Sequence, residues 1–332
     1  LFQVMFILHN TPTKTVKLPN LTFNYINPEN QTARFDLSLD MYEHPSELTG
    51  VFEYNTDLFK AETISNIITH FKNLLEQIVT HSHQKISELS FLAETERHQL
   101  LVEWNKTQTT FNKLACIHQV FETQAQQTPD AIAIVDSHQQ LSYQQLNKTA
   151  NQLAHHLQKQ GVKPEQTIGI CLERSCEMVI ALLAILKVGA TYVPLDPAYP
   201  PERLNFIIEN AQISLIITQK TLNYLQLPCT NIINLDEDWS IIAQQKTDNL
   251  SNNITIKNIA YIIYTSGSTG QPKGVQISHH ALSNFLFAIN QHLDLTPSDV
   301  LLSVTSLSFD IAALELYLPL IIGARVVIAS QK

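Results

Sequence analysis

Apolar residues between positions 61 and 80 fall at Ile64, Ile67, Ile68, Phe71, Leu74, Leu75 and Ile78. That spacing stacks them on one side of a 3.6-residue helix and predicts an amphipathic helix with a polar outer face. Ahead of it, strand-like runs occur at 3–8, 35–42 and 50–54. Three strands and one helix are too little to bury all their apolar faces alone, so residues 1–92 are expected to pack on a further part. Residues 93–115 are polar and lack a long stripe, which reads as a linker with room for a short helix over 93–104. From Cys116 the rhythm changes. Helices are predicted at 117–126, 142–160, 178–188, 202–211, 279–291 and 311–320. Strands are predicted at 131–135, 167–172, 191–193, 214–218, 231–235, 259–264, 300–304 and 324–329. Ser142, with Gln145 three residues on, is a capping pair for the second of these helices, and Gly161 closes it. This alternation argues for an α/β architecture: mostly parallel sheets with helices on both faces.

Composition narrows the function classes. The 332 residues include 44% hydrophobic and 15% charged positions, enough for sizeable cores. Lys+Arg is 21 and Asp+Glu is 30, a formal charge of −9. An acidic chain without a basic block is a poor nucleic-acid or anionic-membrane binder, and no run reaches the ~18 apolar residues of a membrane span. Cys116, Cys171, Cys176 and Cys229 have neither CxxC nor framework spacing; they read as buried small hydrophobes in a reduced, cytoplasmic compartment. The chain starts with Leu1 inside a strand-like run and stops at Lys332 just after another. The expectation is a piece cut from something longer.

The most informative stretch is Tyr261-Ile262-Ile263-Tyr264-Thr265-Ser266-Gly267-Ser268-Thr269-Gly270-Gln271-Pro272-Lys273-Gly274-Val275. A buried strand runs into three glycines, four hydroxyl residues and a lysine. Glycines bring backbone N–H groups close to an anion, hydroxyls donate to phosphate oxygens, and Lys273 adds a point charge. It is not a Walker A loop: the sixth residue from Gly267 is Pro272 and from Gly270 is Val275, where G-x-x-x-x-G-K-[ST] needs glycine. The plainer reading is a surface Gly/Ser turn, which rarely gathers all these residue types directly after a buried strand.

At these residues the sequence resembles the adenylation domains of nonribosomal peptide synthetases, in the adenylate-forming superfamily. Leu186-Lys187-Val188-Gly189-Ala190-Thr191-Tyr192-Val193-Pro194-Leu195-Asp196-Pro197-Ala198-Tyr199-Pro200 looks like that family's second core motif. Leu141-Ser142-Tyr143-Gln144-Gln145-Leu146 looks like its first and Ser308-Phe309-Asp310-Ile311 like its fourth. The resemblance covers 116–332. Residues 1–92 look like the C-terminal end of a condensation domain, on the strand 1–8, Phe35-Asp36-Leu37-Ser38-Leu39 and Gly50-Val51-Phe52-Glu53-Tyr54-Asn55. The implied organisation is a partial condensation-type α/β subdomain (1–92), a linker (93–115) and a truncated adenylate-forming large subdomain (116–332).

The resemblance implies a reaction. An amino-acid carboxylate attacks the α-phosphorus of ATP, pyrophosphate leaves, and the aminoacyl-AMP passes its acyl group to the phosphopantetheine thiol of a carrier (thiolation) domain. A carboxylate is already ionised at pH 7, so charge neutralisation on the phosphates matters more than a base. By resemblance Thr265, Ser266, Gly267, Ser268, Thr269, Gly270 and Lys273 hold the phosphates, with Mg²⁺ bridging phosphate oxygens and no metal ligand assigned in this span. Asp310 pairs with the substrate ammonium, Phe309 stands near the reacting centre, and Ile311 and Leu314 line the side-chain pocket. As a bare residue, Asp310 reads as a helix cap. Asp196, between Pro194 and Pro197, reads as part of a rigid turn rather than a catalytic group. His155-His156 and His279-His280 each miss the HHxxxDG pattern of condensation catalysis, so no peptide-bond chemistry is assigned. The piece alone is expected to be poorly active or inactive. The competing readings are an acyl- or aryl-CoA ligase of the same superfamily and a non-catalytic platform between neighbouring domains. The partners implied are the amino acid, the carrier domain, and the rest of the condensation and adenylation domains.

Overall fold

The computed structural model describes residues 2–10, 32–44, 46–109, 115–229, 231–266 and 271–330. The chain divides into two compact units, Leu1–Thr109 and Thr110–Lys332.

The first unit carries strands β1 (Val4–His9), β2 (Leu37–Glu43) and β3 (Leu48–Tyr54) and helix α1 (Ala61–Thr80). β1 pairs parallel to β2, which pairs antiparallel to β3. Of the α1 stripe only Ile64 is fully buried; Leu75 and Ile78 stay exposed, as do Phe2, Val4, Phe6 and Leu8 along one side of the first strand. Residues 93–109 belong to this unit. Helix α2 (Glu94–His98) runs into a π-helical turn (Gln99–Glu103), and His70 on α1 meets Glu96 at 2.6 Å.

The second unit follows the predicted alternation. It contains, in chain order, α3 (Ile117–Gln127), β4 (Ile132–Val135), β5 (Gln140–Ser142), α4 (Tyr143–Lys159), β6 (Thr167–Ile170), α5 (Cys176–Val188), β7 (Thr191–Pro194) and α6 (Pro201–Asn210). Then come β8 (Leu215–Thr218), β9 (Ile232–Asn234), α7 (Leu235–Ile242), β10 (Ile259–Ser266), β11 (Pro272–Ser278), α8 (His279–Leu293), β12 (Val300–Ser303), α9 (Ile311–Ile322) and β13 (Arg325–Ile328). A six-stranded sheet has the order β11-β10-β7-β6-β8-β9, and a four-stranded sheet has the order β12-β13-β4-β5. Pairings are parallel except for the outer strands β11 and β5, which are antiparallel to their neighbours.

Local chemistry explains the element ends. Ser142 and Gln145 form the expected capping box: the Gln145 N–H donates to Ser142 Oγ at 3.2 Å, and the Ser142 N–H donates to Gln145 Oε1 at 2.8 Å. Helix α5 is apolar all round and buried along its length apart from Glu177, as such a helix must be. It ends at Gly189, whose φ of +83° is left-handed. A Cβ there would also lie 2.7 Å from the Ile254 side chain. One large core joins α3, α4, α5, α8 and α9 to one face of each sheet, and a smaller one sits under α6 on the other face of the six-stranded sheet.

Three elements of this unit were not predicted. β5 is too short to show a period, and α7 starts on Leu235, which the sequence pattern assigns to a strand. β11 contains Pro272 and Gly274, residues that argue against a strand. Both are accommodated: Pro272 opens an edge strand, and Gly274 faces Tyr264, whose ring a Cβ would approach to 3.0 Å.

Candidate functional site

Thr265 and Ser266 are the last residues of β10, and Lys273 is the second residue of β11. Thr265 pairs with Lys273 and Ser266 with Pro272. Directly opposed residues share a face with their Cβ atoms roughly 5 Å apart, so the Thr265 hydroxyl and the Lys273 side chain leave the sheet on the same side. All three, Thr265, Ser266 and Lys273, are exposed. Gly267, Ser268, Thr269 and Gly270, which complete the predicted phosphate loop, lie outside the described residues. Gly274 contributes space for the Tyr264 ring rather than unusual backbone angles.

Alternation along β10 places Tyr261, Ile263 and Thr265 on one face. Tyr261 stacks on Tyr192 of β7 with ring centroids 5.3 Å apart. Burial pushes the Tyr261 phenol up to about 12, and the negative charge of Asp310 adds to the rise. Asp310 therefore lies within electrostatic reach of the face that carries Thr265. This is the carboxyl edge of a mostly parallel sheet, where ligands of such folds bind.

Asp310 directly precedes α9. Its backbone is already helical (φ −64°, ψ −28°), and its carboxylate makes no capping hydrogen bond. The helix-cap role open to a bare Asp is therefore not the one seen. Asp310 is exposed, Phe309 is 61% and Ile311 46% exposed, and Leu314 is half-buried against the large core. Ile311 and Leu314 sit three residues apart and share a helix side. α9 is seated firmly: the Tyr143 hydroxyl donates to Ala324 O at 2.7 Å, with Pro319 O at 3.2 Å.

The connection between β12 and α9 is held by groups that the sequence did not single out. Glu315 Oε2 accepts from the N–H groups of Val304 and Thr305, both at 2.9 Å, and from Ser303 Oγ at 3.1 Å; Oε1 accepts from Thr305 Oγ1 at 2.6 Å. Burial raises the Glu315 carboxyl, but these donors outweigh it and hold the group below its ordinary range. Arg174, just past β6, donates to Ser303 O at 2.5 Å, Ser303 Oγ at 3.0 Å, Ala329 O at 2.9 Å and Thr305 O. Desolvation lowers its guanidinium and Glu315 opposes that shift. Asp196 is structural, as its proline-flanked setting suggested, but it does more than shape a turn. It accepts from the Ala198 N–H at 3.0 Å and from Ser306 Oγ at 2.6 Å, tying the 194–198 turn to the segment before Asp310. One signal for Glu315 was available: it is the only charged residue of an otherwise apolar helix.

A cavity of about 760 Å³ opens beside Arg174, lined by Asp136, Glu173, Glu177, Asp236 and Trp239 among others. The Asp136, Glu177 and Asp236 carboxylates are occupied by local donors. Among the described residues no cluster of three His, Cys, Asp or Glu side chains could hold a metal, and no helix is long and apolar enough to cross a membrane. The four cysteines are free, three of them buried.

Residues 121–332 match the family described as AMP-binding enzyme. The chain belongs to that family. Residues 1–101 of this AMP-binding protein match the Condensation domain family. Over its whole length it is 41% identical to part of the linear gramicidin synthase of Brevibacillus parabrevis, and 37% identical to gramicidin S synthase 2 of Brevibacillus brevis. The chain spans only 7% and 8% of those two relatives. Among solved structures it resembles FmoA3, a nonribosomal peptide synthetase, in its AMPPNP-bound form (TM-score 0.76, 25% identity, 98% of this chain and 35% of that one). It also resembles holo-AB3403, a four-domain nonribosomal peptide synthetase bound to AMP and glycine (TM-score 0.73, 32% identity, 90% of this chain and 22% of that one).

Proposed function

We propose that this chain is part of a nonribosomal peptide synthetase module that activates an amino acid with ATP as aminoacyl-AMP for transfer to a carrier-domain phosphopantetheine thiol. The observation that carries the reading is the shared face of β10: Thr265 and Lys273 at its carboxyl end, and Asp310 within electrostatic reach of Tyr261 on the same side. The match of residues 121–332 to AMP-binding enzymes supports it.

The chemistry follows from the side chains. Lys273 and the Thr265 and Ser266 hydroxyls, with the Gly267–Gly270 amides and alcohols, bind the β- and γ-phosphates and offset charge that grows on the leaving pyrophosphate. Asp310 pairs with the α-ammonium, which turns the substrate carboxylate towards the α-phosphorus and disfavours acids lacking the amine. The carboxylate oxygen forms the new bond to phosphorus as the bond to the bridging oxygen breaks. Phe309 stands at the reacting centre, and Ile311 and Leu314 line the side-chain pocket. Mg²⁺ arrives on the phosphate oxygens and supplies further charge neutralisation. Domain limits belong to the same proposal: a condensation-type part over 1–92, a connecting segment over 93–115 whose helical start is tied back to α1, and an adenylation part over 116–332. ATP supply and the free cysteines suit the cytoplasm.

Amino-acid-dependent ATP–pyrophosphate exchange in the full-length synthetase tests the reading. The Lys273→Ala/Thr265→Ala double variant is expected to abolish exchange. Asp310→Asn is expected to raise the amino-acid KM by roughly 10- to 100-fold, the value of one charge-assisted contact. Preference for the deaminated acid over the amino acid would shift the assignment to an acyl- or aryl-CoA ligase. Full exchange by the double variant would favour a non-catalytic platform.

A further inference from the structure

We propose that Arg174 and Glu315 are positioning residues for substrate recognition: together they hold the β12–α9 connection so that Phe309 and Asp310 stand at one fixed place on the carboxyl edge of the sheet. This rests on the reading of Asp310 as the amino-acid contact.

The connection has little else to fix it. Val304 and Phe309 are exposed, so apolar packing does not anchor its two ends. Its order comes from polar contacts. The Glu315 carboxylate gathers two backbone N–H groups and two hydroxyls from 303–305. The Arg174 guanidinium takes the carbonyls of Ser303 and Thr305 from the same stretch and ties them to Ala329 O past β13. Ser303 Oγ links the two charges, accepting from Arg174 and donating to Glu315. One residue on, Ser306 Oγ reaches Asp196, and the Phe309 N–H closes a turn on Ser306 O at 3.0 Å. Asp310 follows at once. Glu315 sits on the helix that Asp310 opens, so the carboxylate fixes the connection to the same rigid element that carries the substrate contact. A planar guanidinium fork and a carboxylate that each satisfy four partners leave few alternative arrangements. Displacement of a binding group by about 1 Å is enough to cost orders of magnitude in rate or affinity.

The test is exchange kinetics on the full-length synthetase carrying Arg174→Lys or Glu315→Gln, with peptide-resolved hydrogen exchange over 303–310. The expected result is a tenfold or greater rise in the amino-acid KM, an ATP KM within twofold of wild type, and faster exchange at the Val304 and Thr305 amides. A brace that serves only the fold lowers the amount of active enzyme: kcat drops and neither KM moves. That outcome overturns the proposal, as does an equal rise in both KM values. If either variant fails to fold, Thr305→Ala and Ser306→Ala each remove one contact, and a two- to fivefold rise in the amino-acid KM is expected. An unchanged KM in both refutes the role. A wild-type synthetase without amino-acid-dependent exchange would remove the functional reading and the substrate role with it; the amide exchange would still decide whether the brace orders the connection.

Discussion

Acid should destabilise the second unit through one buried histidine. His279, the first residue of α8, is 1% exposed, and neither ring nitrogen has a hydrogen-bond partner. Its ring lies edge-on to His118, with centroids 5.4 Å apart. A charged imidazole there would lack both water and a counter-ion, and would sit at the positive end of a helix. Burial accordingly lowers its pKa from 6.5 to about 4. The folded state therefore binds fewer protons than the unfolded chain between these values, so stability falls as pH drops from 6.5 to 4 and levels off below. A shift of this size corresponds to about 3 kcal/mol. His118 is also held low, first by burial and then by the charges of His279 and Lys187, and adds to the acid sensitivity. In His279→Leu the titrating group is gone while the apolar site stays filled. Urea titrations of the 332-residue chain in a Trp104→Phe background, followed by Trp239 fluorescence, report on the second unit. Wild type should lose about 3 kcal/mol more than His279→Leu between pH 7 and pH 4, with the profiles converging above pH 7. Parallel profiles across that window would show that His279 takes up its proton in the folded state, and the burial argument would fail.

Two further substitutions probe the packing that seats α9 and α5. Tyr143→Phe removes the hydroxyl that reaches Ala324 O and Pro319 O; a loss of ~1–3 kcal/mol is expected from the urea midpoint, and no change would mean water replaces the contact. Glu122→Gln leaves the buried Lys187 ammonium with only the Phe121 ring, 5.9 Å away, for electrostatic support; the same assay should register ~3–5 kcal/mol.

Several features were legible from local pattern alone. The helical period of 61–80, the Ser142–Gln145 capping pair, the α/β alternation after Cys116 and the glycine- and hydroxyl-rich run after β10 all depend on residues a few positions apart. The structure agrees with these wherever it describes them. β11 escaped because Pro272 and Gly274 disfavour a strand by propensity, and only the opposing ring of Tyr264 shows why the glycine is there. Asp310 illustrates the opposite case. Its position before a helix suggests a cap, yet its helical backbone and unused carboxylate leave the side chain free for another partner.

The sequence by itself determined the element order, the family resemblance and the residue types available for phosphate and ammonium recognition, because these follow from spacing along the chain. Tertiary structure alone decided that Thr265 and Lys273 share a face that looks towards Asp310, and that Arg174, Asp196 and Glu315 meet around the segment before it. Arg174 and Glu315 are separated by more than a hundred residues, and Asp196 comes from a third stretch. No local period encodes such meetings. They arise because burying apolar faces of two sheets brings distant polar groups to one edge, where each must find a partner to offset the water it has lost.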